Sequence, residues 1–150
     1  MAWTTPRTWT TGEMVTAALM NTHVRDNLNV VLPGGMTFIL DGGGAAITEG
    51  SKLWVEMPFG ACLQTATALG SEASTAEFGI VKNTFSNWGS AASSLYGSSP
   101  LKLASAKTAQ ITTLTTWSVS LATGDWIGVC ATQAASGITW AAVALRFTRT

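Results

Sequence analysis

Histidine and charged residues are both scarce in this sequence. It contains one histidine, and 11 % of its residues are charged, against about 25 % in typical soluble domains. Eight basic and eight acidic residues give a formal net charge of zero, so no excess of positive charge attracts the chain to nucleic acid or to an anionic membrane. Because low charge favours association, we expect the chain to be covered by copies of itself or by partners. The alternative is a stable monomer coated with threonine and serine.

Long apolar runs and metal-binding cysteine patterns are also missing. No segment has the roughly 18 uninterrupted apolar residues of a membrane span, and the start, MAWTTPRTW, lacks the basic-then-apolar order of a signal peptide. We therefore expect no membrane association and folding in a cytoplasm. Cys62 and Cys130 fall inside predicted strands, without the spacing of a metal site. We expect two buried, reduced thiols, no metal and no cofactor; a disulfide between the two is the alternative.

Residues suited to catalysis are sparse. His23 is the one candidate general base, and no Ser or Cys in a nucleophile-elbow context stands near it in sequence. Asp41 and Asp125 adjoin glycines, where carboxylates accept backbone N–H groups in turns. The run Gly42-Gly43-Gly44 lacks the continuation of a phosphate-binding loop and predicts a flexible turn. The sequence therefore favours a protein that is not an enzyme.

Residues 1–33 are predicted to form an arm and one helix, a segment for attachment and oligomerisation. Residues 1–15 hold Trp3 and Trp9 among many threonines and predict an extended arm, which would span up to roughly 50 Å. Thr16 is the expected N-cap of a helix over 17–31. Pro33-Gly34-Gly35 is expected to stop this helix and to act as a hinge. The helix carries an apolar stripe with spacings of three and four residues, formed by Ala17, Met20, Val24, Leu28 and Val31.

From Met36 onward the apolar residues recur with a period of two, which predicts strands. The predicted strands are 36–41, 52–59, 61–69, 77–84, 110–121, 126–133 and 138–148, and the Ser-, Gly- and Asn-rich stretch 86–100 is predicted to be a loop. In the second strand, Leu53, Val55 and Met57 are expected to face inward and Trp54 outward. Short strands separated by turns predict that 34–150 is a mainly β head, a β-sandwich with jelly-roll-like topology.

The seven tryptophans are the most informative side chains. Trp117, Trp126 and Trp140 lie in predicted late strands and are interpreted as large fillers of the core or of contacts between subunits. Trp3 and Trp9 have no core of their own to enter, so we interpret them as anchors for a binding partner. Three further aromatics are expected to be exposed and to form a surface for a host ligand, such as a sugar that stacks on the rings; they are Trp54, Trp88 and Tyr96.

The leader WTTPRTWTTGEMVTAALMNTHVRDNLN resembles a motif of tailed-bacteriophage structural proteins, W-x-x-G-E-x-V-T-A-A-x-x-N-x-H-x-R-D-N-L, which precedes a small β module. The stretches 38–63, 79–88 and 124–148 also look like such a module. One departure is that the segment after Ile80-Val81-Lys82 is rich in Ser and Ala rather than proline. The matching positions are Trp9, Gly12, Glu13, Val15, Thr16, Ala17, Ala18, Asn21, His23, Arg25, Asp26, Asn27 and Leu28.

The resemblance implies a structural protein of a virion, assembled in the host cytoplasm. A capsid decoration, or cement, protein is the first expectation, and a tail or baseplate appendage of the tail-fibre or adaptor type that contacts the host surface is the alternative. The expected partners are the major capsid protein or tail proteins, and further copies of the chain in a homotrimer. The residues expected to make these contacts are Trp3, Trp9, Met14, Ala17, Met20, His23, Val24, Leu28 and Val31.

Overall fold

A computed structural model describes residues 4, 5, 7–31, 33–133 and 137–150, and only the backbone of 29–31. The contacts within the chain group it into two compact units, Met1–Gly34 and Gly35–Thr150, called here the N-terminal unit and the β module. Within the described residues, no helix is both long and apolar enough to cross a bilayer. The prediction for Trp3 falls outside the described residues, as does the side chain of Val31.

The helix of the N-terminal unit has the predicted bounds but is not uniform. It consists of α1 (Ala17–Met20), a π-helical segment (Asn21–Arg25) and α2 (Asp26–Val31). Thr16 caps it as predicted, since its hydroxyl accepts a hydrogen bond from the Leu19 N–H at 3.3 Å. In the π-helical segment the Asp26 N–H donates to the Asn21 carbonyl, one residue farther back than in an α-helix.

Pro33-Gly34-Gly35, the predicted hinge, begin the first strand, and the boundary between the two units falls between Gly34 and Gly35. Proline has no N–H group and disfavours the helical conformation of the residue before it, so the helix stops here as expected. The strands are β1 (Pro33–Asp41), β2 (Lys52–Glu56), β3 (Ala61–Thr84), β4 (Ser93–Ser94), β5 (Leu101–Ile111), β6 (Ser120–Leu121), β7 (Asp125–Gln133) and β8 (Trp140–Arg149), with a short 3₁₀ helix at Phe85–Asn87.

These strands form one curled antiparallel sheet, which confirms the mainly β fold class. The 24-residue strand β3 organises it. Ala66, in its first half, pairs with Leu145 of β8 on one edge and with Ile111 of β5 on the other. Phe78, in its second half, pairs with Ala131 of β7 and again with β5. Strands β8 and β7 therefore follow each other along one edge of β3, while β1 continues the sheet beyond β8 and β2 continues it beyond β7.

Irregular pairing between β3 and β5 marks the bend between the two halves. From the Leu69–Thr108 pair to the Ser74–Ala106 pair, β3 has three residues more than β5, and farther on β5 has one residue more than β3. Bulges of this kind bend a strand and increase its twist. Gly70 lies at the bend, where an added Cβ would approach the Leu103 side chain to 3.0 Å.

The two halves of the sheet share one hydrophobic core. Along β1, β8 and the first half of β3 its members mostly alternate with less buried residues, as expected when one face is buried, whereas most positions of β7 are buried. This face-to-face burial is that of a β-sandwich-like module; the jelly-roll connectivity stays a prediction. The largest fully buried side chains are Phe38, Met57, Leu63, Phe78, Ile80, Leu95, Leu101, Leu103, Ile127, Ile138, Leu145 and Phe147.

Four details of the predicted strand pattern are wrong. The predicted strands 61–69 and 77–84 are one continuous strand, and the predicted loop 86–100 contains β4. The predicted strand 110–121 is mostly a turn region, where the Trp117 N–H donates to the Leu114 carbonyl and Trp117 enters the core. Strand β5, which precedes it, was not predicted.

The inward orientation predicted for β2 is correct, but the burial is incomplete. Leu53 lies beside Val129 and Val55 beside Ile127, and both neighbours are fully buried. Leu53 and Val55 nevertheless stay 40 % and 37 % exposed, because β2 is the last strand on its side of the sheet. Met57, just after the strand, is fully buried.

Candidate functional site

The arm of the N-terminal unit folds back on the helix, so the predicted extended reach is wrong. The chain turns at Thr10–Glu13, where the Glu13 N–H donates to the Thr10 carbonyl at 3.1 Å and the Thr10 N–H donates to the Glu13 carboxylate at 3.3 Å. Gly12 occupies this turn with φ at 81°, a conformation that favours glycine. Arg7 forms an ion pair with the same carboxylate.

Asn27 fastens the start of the arm to the helix. Its Oδ1 accepts a hydrogen bond from the Thr4 N–H at 2.9 Å, and its Nδ2 donates to the Thr4 carbonyl at 2.9 Å. The same amide also lies 3.3 Å from the His23 carbonyl. Asn27 is the one buried polar residue of this unit among those the structure describes, and its amide satisfies both groups of the Thr4 backbone as a neighbouring strand would.

Trp9 and His23, both predicted as interface residues, contact each other. Their ring centres are 6.4 Å apart in an edge-to-face arrangement, and the Arg7 guanidinium lies 5.1 Å from the centre of the Trp9 ring. The buried Nδ1 of His23 has no hydrogen-bond partner among the described residues. These contacts cover part of the Trp9 side chain, and 41 % of its surface stays exposed. Several positions of the phage-like leader thus hold the unit together.

The other predicted interface residues form an exposed apolar surface on the same unit. Met20, Val24 and Leu28 recur every four residues along one side of the helix, and each is at least 40 % exposed. Ala17 is exposed as well, and Met14, in the arm, is 81 % exposed. The helical residues Ala17, Met20, Val24 and Leu28 are called here the apolar stripe. No described residue covers this surface fully, and exposed hydrophobic surfaces mark interaction sites.

A second candidate site lies on the outer face of the β module. Trp88 sits between Trp54 and Trp126, with ring centres 5.3 Å from each and interplanar angles of 66° and 63°. Trp54 belongs to β2 and Trp126 to β7, and the register of these neighbouring strands places both on the face opposite to the core. Trp88 follows the 3₁₀ helix and is 53 % exposed. These three residues are called here the tryptophan cluster.

Two shallow grooves adjoin the tryptophan cluster. The first, of about 260 Å³, is lined by Lys52, Trp54, Asn83, Trp88 and the segment 89–92. The second, of about 380 Å³, shares Asn83, Ser90 and Ala91 with the first and extends to Lys82, Asn87, Ser93 and Asp125. Apart from Lys52 and the Lys82–Asp125 pair, whose charged atoms are 3.4 Å apart, the polar side chains of both grooves are neutral.

The predicted host-ligand surface is partly wrong. Trp54 and Trp88 come together as predicted, but Tyr96 contacts Trp117 instead, at 6.3 Å between ring centres. Tyr96 also covers Gly79, where a Cβ would lie 3.0 Å from its ring. Trp126 completes the cluster although it was interpreted as a filler. Its contact with Trp88 depends on the pairing of distant strands, for which the local sequence gives no signal.

The remaining candidate groups have structural surroundings. Cys62 and Cys130 are free thiols, and burial raises the pKa of the Cys130 thiol. Asp41 and Asp125 accept backbone N–H groups of Gly43 and Ala122, each at 2.9 Å, as predicted for turns. Among the described residues, no three His, Cys, Asp or Glu side chains are grouped to hold a metal ion.

Comparisons with family models, with curated proteins and with solved structures give no significant match to this chain. Its function has to be inferred from the geometry of the N-terminal unit and of the tryptophan cluster, together with the resemblance of the leader.

Proposed function

We propose that this chain is a non-enzymatic structural protein of a tailed-bacteriophage virion, assembled in the host cytoplasm. Its first role would be that of a capsid decoration, or cement, protein that is attached to the shell through the N-terminal unit. The observation that carries this proposal is that the residues of the phage-like leader fold into a unit whose apolar stripe is exposed.

A helix of about fifteen residues is marginal by itself in water, and the N-terminal unit stabilises its own helix only in part. Asn27, Trp9 and Glu13 fix the arm, but Met20, Val24 and Leu28 keep two-fifths or more of their surfaces in water. Docking this stripe into an apolar groove of the major capsid protein would remove that surface from water. The burial would contribute a favourable binding free energy of about 25 cal/mol per Å² of apolar surface. If this groove forms only where neighbouring shell subunits meet, binding there would stabilise the assembled shell.

The alternative is a tail or baseplate appendage of the fibre or adaptor type, whose N-terminal unit binds a tail protein. The tryptophan cluster favours this alternative, because a surface that can hold a ligand suits a protein that meets the host. Under both proposals the apolar stripe is the attachment surface, and nucleic acid and membrane are not partners.

Rebinding to particles tests the attachment surface. Full-length protein with Leu28→Glu should fail to rebind particles from which the protein has been removed, because the carboxylate would have to be desolvated in an apolar groove. Phe85→Glu is the control, since Phe85 is 80 % exposed and lies in the β module. Equal rebinding of the two variants would refute attachment through the stripe.

A further inference from the structure

We propose that the tryptophan cluster and its grooves form a binding site for a neutral saccharide, with one sugar ring packed on Trp88. The inference concerns the β module alone and does not depend on where the chain is placed in a virion.

The neighbouring backbone holds the tryptophan cluster in place, and Gly128 shows this most clearly. Gly128 lies directly beside Trp54 in the pairing of β2 with β7, and a Cβ at this position would lie 2.7 Å from the Trp54 ring. The indole therefore lies against a strand backbone that only glycine leaves open. Trp54 is in this way held on the sheet before any ligand arrives.

Asn83 holds the segment that carries Trp88. Its Nδ2 donates to the Asn87 carbonyl at 3.3 Å and to the Ser90 carbonyl at 3.5 Å, and its Oδ1 accepts from the Thr84 N–H at 2.9 Å. The backbone N–H of Trp88 donates to the Phe85 carbonyl at 3.2 Å. A segment fixed by these bonds loses little conformational freedom on binding, and this preorganisation favours affinity.

The chemistry of the lining identifies the ligand class. A sugar ring has an apolar C–H face, which suits an indole, and a rim of hydroxyl groups, which need donors and acceptors. The side-chain groups of Asn87, Ser90 and Ser93 have no hydrogen-bond partner among the described residues and line the groove beside the cluster. They can both donate and accept, as hydroxyl recognition requires.

The few charges in the two grooves favour a neutral saccharide over a ligand with a phosphate backbone. The ammonium of Lys82 is directed to Asp125, which leaves Lys52 as the one cation of the two grooves without an acidic partner among the described residues. One lysine is too little to hold a phosphate backbone, where several cations act together. A purely structural cluster would bury its central ring, whereas Trp88 is more than half exposed.

The test uses the full-length protein and defined probes: maltohexaose, cellohexaose, chitohexaose and a bacterial O-antigen polysaccharide. Titration calorimetry should detect binding of at least one probe, and saturation-transfer NMR should show that its ring protons contact the protein. Trp88→Ala should weaken this binding about tenfold or more, since aromatic residues in binding sites carry most of the affinity. Gly128→Ala, which displaces Trp54, should weaken it as well.

The matched control is Trp9→Ala, because Trp9 is 41 % exposed but belongs to the N-terminal unit; it should bind as the unchanged protein does. An unchanged unfolding midpoint of Trp88→Ala would show that the loss is local. The proposal is overturned if no probe binds, if Trp88→Ala and Trp9→Ala behave alike, or if Trp88→Ala only abolishes contact between copies of the chain.

Discussion

At the scale of single residues, Asn27 shows how a polar position can organise a local fold. It stands in a charged and amide-rich run, RDNLN, in which nothing distinguishes it from its neighbours by composition. In the structure it is buried and binds both backbone groups of Thr4, 23 positions away. The helix and its cap could be predicted from local sequence, but this contact could not, because it depends on the arm turning back.

Replacing Asn27 by Ala should release the arm from the helix. The substitution leaves the N–H and carbonyl groups of Thr4 without their hydrogen-bond partners, which should lower the free energy of unfolding of this unit by about 1–3 kcal/mol. Hydrogen exchange should show faster exchange at Thr4 and at the Thr10–Glu13 turn, with the β module unchanged. Asn21→Ala is the matched control, because the Asn21 side chain is exposed. Equal exchange in the two variants would show that the hydrogen bonds between Asn27 and the Thr4 backbone do not hold the arm in place.

The two cysteines should differ in reactivity. Cys130 is 5 % exposed and its Sγ donates to the Gly79 carbonyl at 3.5 Å, while Cys62 is half-buried. Because burial raises the pKa of Cys130, the thiolate that reacts is scarce there. Mass spectrometry after iodoacetamide treatment at neutral pH should find Cys62 alkylated first, and both alkylated in urea. Faster alkylation of Cys130 in the folded protein would contradict the burial.

The raised pKa of Cys130 also predicts a pH dependence of stability. A group whose pKa is higher in the folded state stabilises that state below its unfolded pKa, and the contribution is lost as the pH rises through the folded pKa. The unfolding free energy should therefore fall above pH 9, the ordinary range of the thiol, and fall less in Cys130→Ala. Parallel pH profiles of the two proteins in urea unfolding would contradict this.

At the scale of elements, the comparison of β5 with the residues after it shows where local propensity fails. The run TTLTTWSV has the β-branched residues typical of strands but forms a turn region, while LKLASAKTAQI, rich in Ala and Lys, forms β5. Strand β5 is stabilised by pairing with β3 over long sequence distances, including the Lys102–Glu77 ion pair at 2.7 Å. Such pairing cannot be inferred from composition, whereas β1 and β8 could be predicted from their alternation.

Because β3 is central in the sheet, removing one of its buried side chains should strongly lower the free energy of unfolding. Phe78→Ala removes a fully buried ring where β5 and β7 flank β3 and should lower the free energy of unfolding by about 3–5 kcal/mol. Phe85→Ala, at an exposed position in the 3₁₀ helix that directly follows β3, should change it by at most about 0.5 kcal/mol. Urea unfolding measures both. Similar losses would mean that β3 does not organise the core.

At the scale of the whole molecule, the low charge and the exposed apolar residues favour association, and a homotrimer remains our prediction. Besides the apolar stripe, the outer face of the β module exposes Ile39, Leu69 and Trp140. Leu69 pairs with Ala142, two residues from Trp140 on the same face, so these residues suit contacts between β modules. Sedimentation should give the mass of a trimer, and Leu69→Glu should shift it toward the monomer. A monomer of the unchanged protein at micromolar concentration would contradict this.

Attachment to a virion is the central claim, and quantitative mass spectrometry of purified phage particles tests it most directly. If the chain is a decoration protein, it should be present in an amount comparable with the major capsid protein and should be lost from particles when Leu28→Glu replaces the normal chain. An amount comparable with that of tail proteins would favour the appendage instead. Absence of the chain from purified particles would contradict the account.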